Sequence, residues 1–126
     1  MRFISIAIAA TLWMPYAFAQ DPTQTDGDKY KAIFENECVR VLEFRDMPGD
    51  KTMQHKHPSF VLYTLAPFER ALTLPNGKTL RREFVEGKAM WSDSQTHIGE
   101  NVGKTPTHVL IVELKPSAKE TPACWK

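Results

Sequence analysis

The segment ERALTLPNGKTLRREFV, residues 69 to 85, sets two strand-like runs on either side of Pro75-Asn76-Gly77. An Asn-Gly pair between two such runs is the strongest short-range hairpin signal, because a tight antiparallel turn needs positive φ and these residues adopt it at least cost. The same punctuation recurs along the chain. CVRVLEFRD, residues 38 to 46, is rich in β-branched and aromatic residues and stops at a turn written with Pro48 and Gly49. TMQHKH, FVLYTL, EGKAMWS, a segment around THIGEN, and THVLIVELK follow as further short runs with turn residues between them. About eight short strands with almost no helical period predict an all-β antiparallel barrel or double-sheet sandwich. Such barrels commonly enclose a small-molecule pocket, since alternate side chains point into the lumen. Only YKAIFENE, residues 30 to 37, is compatible with a helix, and QDPTQTDGDK, residues 20 to 29, reads as a mobile polar lead-in.

A chain of 126 residues has room for one domain with a real core and not for two. Its opening carries one cation at Arg2, an apolar run from Phe3 to Met14, Pro15, and small residues at Ala17 and Ala19. That is the pattern of a cleaved secretory signal over residues 1–19, and it predicts a periplasmic or secreted protein. The apolar run falls short of the roughly 20 residues of a membrane-spanning helix, and no later run is longer, so the mature form is expected to hold no membrane span.

Removing Arg2 with the leader leaves 15 basic and 15 acidic side chains in the mature chain. A formally neutral protein with no basic run has little to attract a phosphate backbone, which argues against nucleic acid as a partner. A basic amphipathic helix for membrane-surface binding is lacking too. Cys38 and Cys124 allow one intramolecular pairing. In an oxidising compartment a Cys38–Cys124 disulfide would tie the tail PSAKETPACWK to the first core strand; the alternative is a buried free Cys38 and a solvent-facing Cys124.

His55 and His57 have one residue between them, so on a strand both imidazoles point to one face and Lys56 to the other. Such a pair is the right bite for one divalent transition metal; imidazole suits iron, manganese, zinc, nickel and copper. By itself the pair reads equally well as a solvated His-Lys-His strand, and a third ligand would decide between the two.

Gly49, five residues, His55, one residue, His57 resembles the first half of the cupin signature. Gly87, followed by His97 and, after three residues, Asn101, resembles the second half. The resemblance runs from about Glu35 to Lys115 and implies a single-domain cupin double-stranded β-helix, a jelly-roll barrel spanning 35–115, with residues 20–34 as lead-in and 116–126 as a C-terminal tail. It also implies a metal on His55, His57 and His97, a small-molecule ligand or substrate, and a homodimer as one assembly such proteins adopt. Two departures stand out. The family's glutamate ligand would fall at Val61 or Leu62, and PSFVL, residues 58 to 62, has no carboxylate; the second motif has Asp93, Ser94 and Gln95 where the family has Pro-x-Gly.

Three neutral imidazoles would leave the full charge on a divalent ion and favour an anionic or enolate-type ligand. Certain cupins, thiol and diketone dioxygenases among them, are similar in using three histidines on iron. The resemblance thus supports an exported cupin acting on a small organic molecule by dioxygenase, isomerase or lyase chemistry, or a non-catalytic periplasmic module that binds a metal or small ligand. No catalytic base is identifiable.

The remaining candidates have ordinary readings beside functional ones. His108 shares a face with Leu110, Val112 and Leu114 and reads as a hydrogen-bonded core histidine before it reads as a ligand. Glu43, a stand-in for the absent carboxylate, reads first as a surface ion-pair partner. Gln54 faces away from His55. Met53, Phe60, Tyr63 and Trp91 are candidates for lining an apolar pocket, or ordinary core. Arg81 and Arg82 read as a solvated strand end, and Asn101 as a residue that closes a turn through its side chain.

Overall fold

The computed structural model describes residues 20–126; the leader read over residues 1–19 lies outside them. A single helical turn, α1 (Pro22–Thr25), precedes nine strands among the described residues. These are β1 (Tyr30–Glu35), β2 (Val39–Asp46), β3 (His55–His57), β4 (Phe60–Thr64), β5 (Phe68–Thr73), β6 (Thr79–Phe84), β7 (Ala89–Ser92), β8 (Gln95–Asn101) and β9 (Thr107–Leu114). Two 3-10 turns, Pro116–Glu120 and Pro122–Trp125, end the chain. One sheet has the order β1-β2-β9-β4-β7 and the other β3-β8-β5-β6. Every pairing is antiparallel, giving the double-sheet architecture anticipated from the strand pattern, in the jelly-roll form that the resemblance implies. The Asn76-Gly77 turn joins β5 to β6 as a hairpin, with the Asn76 side chain accepting from the Lys78 amide at 2.9 Å.

The register of β2 on β9 builds the barrel interior in layers. Asp46 lies opposite Thr107, Phe44 opposite Val109, Leu42 opposite Ile111, and Arg40 opposite Glu113. Side-chain alternation sends this whole set inward. The apolar middle, with Tyr30, Phe60 and Phe68, forms the core, and Leu62 and Phe84 pack against it. Phe68 and Phe84 stack with ring centres 4.4 Å apart. Truncating a buried aromatic such as Phe44 in a core of this kind costs about 3–5 kcal/mol.

Residues 30–37, compatible with a helix by sequence, instead supply β1, whose Tyr30 faces Phe44 across the ladder and packs on it at 4.3 Å between ring centres. Pairing along β2 satisfies the backbone and buries the tyrosine, which outweighs a weak local propensity. Residues 20–29, read as mobile, are held down. Asp21 caps α1 by accepting from the Thr23 amide at 2.9 Å, Pro22 sits at the first helical position, and Asp26 is buried. At the other end, Cys38 and Cys124 form a disulfide with Cα atoms 5.6 Å apart.

Candidate metal centre

β3 and β8 pair so that His55 lies opposite His97, and His57 follows two residues on, on the same face. All three rings are buried. Their candidate ligand atoms lie within 4.8 Å of one another, and among the described residues no cysteine or carboxylate joins the group. Gly49 opens the turn leading to this strand with φ +87, a conformation a side chain would oppose.

Each ring is oriented from behind. His55 Nδ1 donates to the Met53 carbonyl at 2.9 Å, His57 Nδ1 to Glu113 Oε1 at 2.7 Å, and His97 Nδ1 to Gln95 Oε1 at 2.8 Å. With every Nδ1 engaged from behind, Nε2 is the atom of each ring left for a metal. This is the outer hydrogen bonding that metal-binding histidines use to fix tautomer and orientation. Burial, and then the nearby His57, lower the His55 pKa to about 4. Burial, followed by His55 and His57, lowers that of His97 to about 2. Both rings are therefore neutral at physiological pH, the form that binds a metal. The donor set, its convergence and its protonation fit a divalent transition ion.

The supports reach outward. Glu113 Oε2 accepts from Arg40 Nε at 2.7 Å, and Arg40 pairs with Asp21 at 2.8 Å, so a buried carboxylate is balanced by a guanidinium rather than left alone behind His57. Asp26 Oδ1 accepts from the Met53 amide at 3.0 Å, holding the peptide that orients His55. Tyr30 places its hydroxyl 3.2 Å from His55 Nε2, and because Nδ1 carries that ring's proton, the phenol is the donor. Burial raises the Tyr30 pKa well above its ordinary value, so the hydroxyl stays protonated.

The centre opens on a cavity of about 370 Å³, lined by His57 and His97 and walled by Phe60, Leu62, Phe84 and Ile111. Leu62, one of the two residues at the expected glutamate position, contributes to this apolar wall. Of the four pocket residues read from sequence, Phe60 and Trp91 line the cavity. Met53 and Tyr63 do not. Met53 is 64% exposed because β3 begins only at His55, so strand alternation does not extend back to residue 53. Tyr63 falls on the outer face of β4, odd with respect to the inward Phe60 and Leu62. His108 is on the outer face of β9, where its Nε2 lies 3.1 Å from Glu43 Oε1. Asn101 closes its turn: Nδ2 donates to the Thr105 carbonyl at 2.9 Å and Oδ1 accepts from the Gly103 amide at 3.1 Å. Tyr30, Gln95 and Glu113 had no motif to mark them. The nearest signal for Glu113 is a carboxylate in the most apolar strand of the chain.

No protein-family profile and no curated protein sequence matches the chain. Solved structures do. A cupin domain from Bordetella pertussis matches with TM-score 0.62 at 24% identity, covering 68% of this chain and 91% of its own. An RmlC-like cupin with a double-stranded β-helix from Methanocaldococcus jannaschii matches with TM-score 0.55 at 17% identity, covering 72% and 82%. A conserved double-stranded β-helix protein from Klebsiella pneumoniae matches with TM-score 0.53 at 20% identity, covering 67% and 74%.

Proposed function

This chain has the cupin fold, and from that premise we propose that it is an exported protein that binds one divalent transition metal on His55, His57 and His97 and acts on a small organic molecule in the adjoining cavity. The observation that carries this reading is the set of three buried imidazoles, each with Nδ1 held from outside and with candidate ligand atoms within 4.8 Å of one another. When bound, the metal would supply Lewis acidity or an oxygen-activating centre for chemistry of the dioxygenase, isomerase or lyase type. The chain's own contribution is orientation and proton supply. Tyr30 holds a protonated hydroxyl on His55 Nε2; with that lone pair taken by a metal, the hydroxyl would be released to donate to a ligand, and burial leaves it unsuited to acting as a base at neutral pH. The apolar side chains Phe60, Leu62, Phe84 and Ile111 would limit water around a bound molecule. Export is supported by the leader pattern of residues 1–19 and by the Cys38–Cys124 bridge, a bond that persists in oxidising compartments.

Elemental analysis of natively purified protein tests the metal. About one ion per chain is expected, lost in both His55→Ala and His97→Ala; full retention in both variants would sink the reading. A second reading follows from the absence of a carboxylate in the ligand cluster: a module that holds a metal or small ligand without turnover. Oxygen uptake or product formation with a bound ligand separates the two.

A further inference from the structure

One cationic side chain in the cavity has work left over. Arg70, on β5, is 7% exposed and lines the cavity together with Phe44 and His97. Its Nη1 donates to Asp46 Oδ2 at 2.5 Å, and its guanidinium carbon lies 4.7 Å from the centre of the Phe44 ring. Its Nη2 is buried and has no hydrogen-bond partner among the described residues. A buried, charged donor left unpaired is expensive enough that it calls for an explanation. Asp46 does not supply one, because its other oxygen accepts from Asn101 Nδ2 at 3.1 Å.

The opposite strand makes room for the same atom. A Cβ on Gly99 would stand 2.5 Å from Arg70 Nη2, so only glycine fits there with the guanidinium in place. Gly99 is two residues beyond His97 on β8, which puts the guanidinium on the face that carries the histidine. The same cavity is apolar at Phe60, Leu62 and Phe84. Arg82 also lines the cavity and is exposed; Asp93, the acidic residue of the lining, is exposed as well and accepts from Trp91 Nε1 at 3.0 Å.

We propose that Arg70 Nη2 is the anchor for the carboxylate of a small organic acid with an apolar body, whose other end faces the three histidines. Guanidinium and carboxylate form strong charge-assisted hydrogen bonds, and the Asp46 pair leaves half of the Arg70 fork for the ligand. The apolar wall suits a hydrocarbon or aromatic body. That wall offers no donor for the further oxygens of a phosphate. The proposal rests on the metal reading only for the orientation of the ligand's far end; the anion contact is made by Arg70 alone.

Calorimetric titration of the full mature chain with phenylacetate and with phenylacetamide, each on metal-loaded and metal-free protein, tests it. Wild type is expected to bind the acid about tenfold or more tightly than the amide. Arg70→Lys keeps a cation on Asp46 but removes the second amino group, and Gly99→Ala pushes Nη2 from its place. Both are expected to reduce the preference to about twofold or less while metal content is unchanged. If Arg70→Lys does not fold, Gly99→Ala decides. A preference that survives in the folded variants, or a wild-type protein that fails to bind phenylacetate or binds the amide equally well, overturns the proposal. A wild-type protein that prefers the acid yet purifies without metal upholds the anchor and sinks the metal reading instead.

Discussion

Burial keeps His55 and His97 neutral, and that has a thermodynamic consequence. In the unfolded chain a histidine titrates near 6.5, whereas in the fold these two titrate at about 4 and about 2. On acidification below about 6.5 the unfolded state takes up protons that the native state refuses, so the stabilisation present above that pH is progressively lost as the pH falls toward the native values. For metal-free protein we expect the urea midpoint to fall between pH 7 and pH 5, each residue contributing at most about 1.4 kcal/mol per pH unit. A flat profile over that interval would show that the rings are not buried as neutral groups. At this scale the sequence was legible where period two applied: His55 and His57 share a face by spacing alone, and motif spacing joined His97 to them. Glu113 was not legible. Both faces of THVLIVEL are apolar, so alternation leaves open which one turns inward, and the structure turns in Thr107, Val109, Ile111 and Glu113 rather than His108.

The first elements of the described chain carry more of the site than their composition suggests. α1 and β1 deliver Asp26 to the Met53 amide and Tyr30 to His55. Asp26→Ala would leave that amide without its acceptor and loosen the peptide that fixes the His55 ring. A loss of about 1–3 kcal/mol in stability, with weakened metal binding, is expected from urea denaturation and metal titration. Unchanged values in both would show the contact to be incidental. Strands bounded by Gly, Pro and Asn could be placed from sequence because turn chemistry is local. β1 could not, since only Tyr30 in it is buried and its partner, Phe44, is set by pairing rather than by neighbouring residues. The same dependence on register misplaced Met53, which stands outside the three-residue strand β3.

Across the whole molecule, the Cys38–Cys124 bridge closes a separation of 86 residues and ties the tail to the start of β2. Chain-entropy reasoning gives about 4 kcal/mol for a loop of that size. Cys38→Ser with Cys124→Ser should lower unfolding free energy by roughly that amount in urea; a drop below about 1 kcal/mol would show that the unfolded chain is compact without the bridge. The all-β class was readable from strand count, and cysteine arithmetic left one pairing to consider; that it forms is seen only in the structure. The buried Asp46–Arg70 pair was not readable, because nothing local distinguishes a core arginine from the solvated Arg81 beside Arg82.

His55 and His97 meet on a single rung of the β3–β8 ladder, and their rings are pinned by groups of the protein itself. A cage built this way is finished when the sheet has paired. A metal entering it would therefore meet a finished site, the reverse of small zinc domains that have no structure until the ion arrives.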